Sequence, residues 1–199
     1  MRHLVIKALL GFCALCAIAP AQASIIHFST RLSGLNESPV NASPGTGIVF
    51  ADFNTVTNLL HITATFSGLL GTTTNAHIHC CTATPGTGTA GVATTTPSFV
   101  LFPLGVTSGT FDNTYDMRLA SSYNPAFVLA NGNSVALAEA ALLAGMVAGQ
   151  TYFNIHTSVV PGGEIRGFLA SPGAVPEPWT VALVAVGLAA AGLSRRRRG

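Results

Sequence analysis

Three histidines carry the clearest chemistry in this sequence. His77 and His79 stand two residues apart, so on an extended strand both imidazoles leave the same face. His156 lies in a second strand-like run, with Tyr152 and Asn154 on its own face. Two such strands side by side bring three imidazoles together, a ligand set suited to zinc or copper. The competing reading is structural: the same rings can hydrogen-bond turn backbone and neighbouring threonine hydroxyls, and three histidines make a short ligand list. Cys80 and Cys81 follow at once. Neighbours on an extended strand point opposite ways, so a bond between them requires a tight turn. Three uses stay open for this pair: a vicinal disulfide, soft ligands joining the histidines, or thiols offered to another chain. Glu164 and Arg166 share a strand face, with Glu37 and Asp52 as candidate ion partners. They serve either to orient His156 or as an ion pair near a sheet edge. No Ser-His-Asp arrangement, paired-carboxylate spacing or phosphate-cradling glycine loop stands out, and neither does a catalytic nucleophile.

The elements that must position these residues are short and strand-like. Runs at Ile25–Gly34, Thr46–Phe53, Leu59–Phe66, Ala76–Cys80, Phe99–Phe102, Thr107–Met117, Thr151–Thr157 and Glu164–Leu169 are separated by turn chemistry. Leu60, Ile62, Ala64 and Phe66 alternate with His61, Thr63 and Thr65, so one face of that strand is apolar and the other polar. Pro161-Gly162-Gly163 returns the chain between the last two runs and predicts a hairpin. The segment Thr82–Thr96, almost all Thr, Ala, Gly and Pro, has little to bury and reads as a long surface loop. One stretch breaks the pattern. Val135, Ala138, Leu142 and Met146 fall at helical spacing, with Asn133 or Ser134 able to cap the start and Gly149 just past the end. The expectation is an all-β domain, an antiparallel β-sandwich, with one short connecting helix across an open end.

The two ends read as addresses. Met1 to Lys7 is basic, Ala8 to Ala19 is apolar, and small residues stand at Ala21 and Ala23. That order predicts a signal peptide over residues 1–23, cut by signal peptidase between Ala23 and Ser24. Cys13 follows Phe12 and Cys16 follows Leu15, whereas lipoprotein processing wants a small residue before the cysteine. Once the leader is gone, Cys80 and Cys81 are the only cysteines, in an oxidising compartment. At the other end, a linker over 172–178 carries Pro176-Glu177-Pro178, an uncharged apolar run spans Trp179–Leu193, and Ser194 to Gly199 holds four arginines. As a helix the apolar run is roughly 22 Å long, and bilayer thinning with snorkelling arginines lets it span. The arginines stay on the cytoplasmic side, which turns everything before them outward. Motif, short helix and basic end in this order resemble the PEP-CTERM sorting signal of Gram-negative bacteria. The resemblance implies an exosortase-type processing enzyme as partner; a permanent tail anchor predicts the same orientation without cleavage.

With the ends set aside, Arg31, Arg118 and Arg166 face Glu37, Asp52, Asp112, Asp116, Glu139 and Glu164, three cations against six carboxylates and a net −3. A basic, aromatic-laced surface for nucleic acid is therefore not expected. Within residues 24–171, Phe28-Ser-Thr-Arg-Leu-Ser-Gly-Leu-Asn-Glu-Ser-Pro39 is followed by Phe66-Ser-Gly-Leu69, Ala76-His-Ile-His79, Tyr152-Phe-Asn-Ile-His-Thr157 and Gly162-Gly-Glu-Ile-Arg-Gly167. This ordered set resembles the CHRD domain, named for chordin and common in exported bacterial proteins. Where this chain has Cys80-Cys81, the family more often has Gly-Pro. The resemblance implies an all-β fold, immunoglobulin-like or superoxide-dismutase-like, without a settled activity. The His-Ile-His step after a Ser-Gly-Leu strand end is also similar to copper-zinc superoxide dismutase, but a shared fold does not carry function across. The expected role is a non-enzymatic module at the cell surface or in the exopolysaccharide matrix, with polysaccharide as partner. The rival is a copper- or zinc-binding protein using His77, His79 and His156.

Overall fold

The computed structural model describes residues 25–171. The leader and its Ala23/Ser24 cleavage point, the Pro176-Glu177-Pro178 motif, the apolar tail and the arginines lie outside the described residues. Among the described residues no helix is long and apolar enough to cross a membrane.

Seven antiparallel strands form one sheet: β1 (Ile25–Ser33), β2 (Thr46–Asn54), β3 (Leu59–Ser67), β4 (Thr73–His79), β5 (Gly109–Asp116), β6 (Tyr152–Thr157) and β7 (Ile165–Phe168), in the order β4-β6-β7-β1-β2-β3-β5. The all-β, antiparallel part of the expectation holds. The strands are hydrogen-bonded in a single curled sheet, where the sequence reading expects two stacked ones. Period-two alternation sets the middle of it. Phe28 and Leu32, then Val49, Ala51 and Phe53, then Leu60, Ile62, Ala64 and Phe66 all turn inward and are buried. Asn54 Oδ1 accepts from the amides of Val56 and Thr57, both at 3.0 Å, and Asn58 takes φ 57°, so β2 turns tightly into β3. The β6–β7 hairpin forms around Pro161-Gly162-Gly163, with the Glu164 amide donating to the Ile155 carbonyl at 2.8 Å.

The curl brings the two edge strands towards each other at one end. The Thr73 amide donates to the Val106 carbonyl and the Gly105 amide to the Thr73 carbonyl, both at 2.8 Å, so the entry to β4 is tied to the entry to β5. Phe99–Phe102, expected as a strand, is a turn. The Phe102 amide donates to the Phe99 carbonyl at 3.1 Å, and Leu101 adopts φ 67°. A strand sends residues three apart to opposite faces. Here Phe99 and Phe102 both enter the core while Val100 and Leu101 face solvent. Phe99 stacks on Phe111 of β5 at 6.0 Å and Phe153 of β6 at 5.8 Å, filling the inside of the curl.

Two helices follow β5. The expected one is α2 (Val135–Val147), capped by Ser134. A shorter one, α1 (Pro125–Ala130), was not expected; its signal is Asn124-Pro125, where Asn124 caps the Ala126 amide and Pro125 opens the first turn. Ala138, Leu142 and Met146 bury the inner stripe of α2.

Candidate metal centre

β4, β6 and β7 differ from the rest of the sheet because both of their faces are covered. Ala76, Ile78, Phe153, Ile155 and Ile165 enter the core on one side. On the other side the register lines up His77 with Asn154 and Arg166, and His79 with Tyr152 and Phe168. His156 pairs with Asn75 in the next row. The three histidines are thus neighbours on two directly paired strands. One nitrogen from each gives a group whose members all lie within 4.8 Å of one another. His77, His79 and His156 are 5%, 8% and 8% exposed.

The cover comes from main chain that the sequence marks as loop. The Thr82–Thr96 segment is exposed at Thr84 to Thr89, yet it returns along β4 and closes over the histidines. The Ala93 amide donates to the Ile78 carbonyl at 2.9 Å and the Cys80 amide to the Gly91 carbonyl at 3.0 Å. The rings are oriented by main-chain carbonyls from this segment, from Pro97 just past it and from the β6–β7 hairpin. Nδ1 of His79 faces the Ala90 carbonyl at 2.8 Å, Nδ1 of His77 faces the Pro97 carbonyl at 3.1 Å, and Nδ1 of His156 faces the Pro161 carbonyl at 2.8 Å. A carbonyl oxygen only accepts, so each Nδ1 carries the hydrogen and each Nε2 is left with a bare lone pair. Those lone pairs converge. The Nε2 atoms of His77 and His156 stand 2.9 Å apart, and Nε2 of His79 is buried with no hydrogen-bond partner among the described residues.

Protonation does not relieve this crowding near neutral pH. Burial, then the charges of His79 and His156, push His77 down to about 3. Burial holds His79 at about 4 against its Ala90 hydrogen bond, and burial lowers His156 as well. Three neutral acceptors facing one point, each ring fixed through its other nitrogen, are the donor set and outer support of a histidine metal site. Bonds of about 2.0–2.1 Å allow two donors on one ion to be at most about 4.2 Å apart, so the widest pair must draw in slightly. The residues fit a metal ion.

The remaining candidates fall elsewhere. Cys80 and Cys81 are joined by a disulfide, and Cys80 belongs to the core cluster on the face opposite His79. Their sulfurs pack on α2, 4.0 and 3.7 Å from the Ala141 carbonyl oxygen, so they do not join the histidines. A Cβ at Gly145 would sit 2.5–2.6 Å from both sulfurs, which is why this turn of α2 carries glycine. Glu164 does not orient His156. It accepts from Ser43 Oγ, Thr157 Oγ1 and the Leu70 amide, each at 2.6 Å, and from the Gly71 amide at 3.2 Å. Arg166 reaches Glu37 at 3.7 Å with both side chains 4% exposed, a buried pair and not one at an open edge. Asp52 instead meets His27 at 2.8 Å on the open face. Arg166 also stacks over Tyr152, 4.6 Å from its centroid, and Tyr152 stacks on His79 at 4.5 Å. Gly163, at φ 127°, leaves room for Asn154 and Glu37, whose atoms a Cβ there would meet at 2.5–2.9 Å.

The family model described as CHRD domain matches residues 28–169, from the first buried phenylalanine of β1 to the chain just past β7. The chain belongs to the CHRD-domain family. All three histidines lie inside the matched CHRD stretch, as do the loop carbonyls that hold them. The match points to a non-enzymatic module. No curated protein and no solved structure matches the chain.

Proposed function

We propose that this protein is an exported CHRD module whose covered sheet face holds one metal ion, copper or zinc, on His77, His79 and His156. The observation that carries this reading is the set of three Nε2 lone pairs facing one another while every Nδ1 is committed to a carbonyl. Burial keeps the rings from taking protons, and a cation is the partner that turns their mutual repulsion into bonding. Export rests on the leader ending at Ala23, and sorting on Pro176-Glu177-Pro178 with its apolar run and arginines, read by an exosortase-type enzyme. Elemental analysis of the full-length chain, passed through the secretory route and purified in detergent, tests the metal. One equivalent is expected after reconstitution. Below about a tenth of an equivalent the reading is lost.

A second role rests on the open face of β1, β2, β3 and β5. Phe50 is 49% exposed there, flanked in register by Ser29 and Thr63, with Asp112 beyond. An aromatic ring among hydroxyls and carboxylates is suited to stack on and hydrogen-bond a sugar, which supports binding to matrix exopolysaccharide. Retention of the protein on the host's own polysaccharide, and its loss in Phe50→Ala, is the expected result. No retention at any salt concentration ends this second reading.

A further inference from the structure

We infer that the centre on His77, His79 and His156 selects copper in its monovalent state, Cu(I), over Zn(II) and Cu(II); this rests on the metal-site reading above. Charge is the first argument. The ligand group among the described residues consists of the three imidazoles alone, so no anionic donor offsets the ion. The rings are at most 8% exposed, and the self-energy of a buried ion grows with the square of its charge. A divalent ion at this position therefore carries about four times the desolvation cost of a monovalent one.

The nearest formal charge adds to the bias. The Arg166 guanidinium sits 4.6 Å over the Tyr152 ring, and that ring stacks on His79 at 4.5 Å. A fixed cation two rings away disfavours every metal ion, and a divalent one twice as much. Its partner Glu37 is itself pushed up to about 7 by burial, against the pull of Arg166 and the Ser38 amide, so it compensates only in part near neutrality.

Coordination number is the second argument. Zn(II) completes a set of four ligands and Cu(II) prefers tetragonal sites, whereas Cu(I), with half the charge, rests with three. Three donors at about 2.0 Å in a trigonal plane stand about 3.5 Å apart. The observed 2.9 Å between His77 and His156 and the 4.8 Å limit of the group bracket that spacing. The carbonyls of Ala90, Pro97 and Pro161 fix the three rings through their Nδ1 atoms.

The test is a competition. Full-length protein in detergent, under argon with ascorbate, is offered one equivalent each of Cu(I) and Zn(II) and then desalted for elemental analysis. About one equivalent of copper and less than a tenth of an equivalent of zinc are expected, with a tenfold zinc excess failing to displace copper. In air the bound copper is expected to stay silent in electron paramagnetic resonance. His77→Ala and, separately, His156→Gln are each expected to lose the copper while circular dichroism stays β-type. Zinc at one equivalent, or a stoichiometric Cu(II) signal, overturns the selectivity and leaves the metal site standing. Neither metal bound removes the site as well.

Discussion

Glu164 is completely buried yet placed to stay charged. Burial pushes its carboxyl up, but donors from Ser43, Thr157, Leu70 and Gly71 outweigh that and hold it below the usual carboxylate range. It ties the chain before β2, the chain before β4 and both strands of the β6–β7 hairpin to one point. Glu164→Ala strands those donors in the interior and is expected to cost about 3–5 kcal/mol, read as a lower urea midpoint at pH 7. A group held low contributes stability that is fully present above its unfolded value and disappears as pH falls through the folded one. The histidines act in the same direction but earlier. Their folded values lie below 6.5, His77 at about 3 and His79 at about 4, so the unfolded chain takes up protons first and apo stability falls as pH drops from about 6.5. Glu37, raised to about 7, works the other way, since its contribution is present below about 4.5 and lost as pH rises through 7. The histidines together outweigh one glutamate, which leaves a net loss of stability towards acid. Chemical denaturation of the metal-free protein from pH 7 to pH 5 checks this, and a flat profile contradicts it.

At the scale of elements, the turn holding Phe99 and Phe102 and the glycine of α2 are the sensitive points. Phe99→Ala empties space between β5 and β6 and is expected to cost about 3–5 kcal/mol, while Leu101→Ala, two residues on and exposed, stays within about 0.5 kcal/mol. Gly145→Ala raises helix propensity yet is expected to destabilise by about 1–3 kcal/mol, because the added methyl meets the Cys80–Cys81 sulfurs. The same elements show what a reader of the sequence can and cannot extract. Alternation in Leu59–Ser67, the Pro-Gly-Gly hairpin and the Ser134 cap are local signals and are legible. His77, His79 and His156 are legible as one group because parity assigns each to a face and two paired strands then suffice. Phe99-Val-Leu-Phe102 misleads, since four apolar residues fit a strand or a turn, and the choice is made by a core that only the closed sheet creates. The Ala90, Pro97 and Pro161 carbonyls leave no trace in side-chain identity. The Thr82–Thr96 loop reads as bare surface for a related reason: small residues such as Ala93 and Thr94 give no apolar signal, yet both are buried and Thr94 Oγ1 accepts from the Ile78 amide at 2.9 Å.

The whole molecule divides its sheet into two halves. β4, β6 and β7 are covered on both faces and hold the histidines. β1, β2, β3 and β5 leave one face to solvent, where Phe50 stands with His27, Asp52, His61 and Asp112. The proposed metal and polysaccharide roles are therefore expected to be independent. Phe50→Ala should keep one equivalent of metal, and His77→Ala should keep its retention on polysaccharide. A variant losing both would show that the halves are coupled. Metal at a hundred times its dissociation constant is expected to add about 2.7 kcal/mol to unfolding, detected as a raised midpoint.

The way the imidazoles are held has a consequence for tolerance to change. Ala90 acts through its main chain, its carbonyl taking both the His79 ring and the Tyr152 hydroxyl. Replacing it by valine should leave the centre intact, whereas deleting Gly88 shortens the span and swings the acceptor away, weakening metal retention by about 10–100-fold. Thr82, Ala93 and Thr94 are buried and Gly86 and Gly88 take positive φ, so relatives that keep the centre should vary most at the exposed positions between them and least in the number of residues from Thr82 to Pro97.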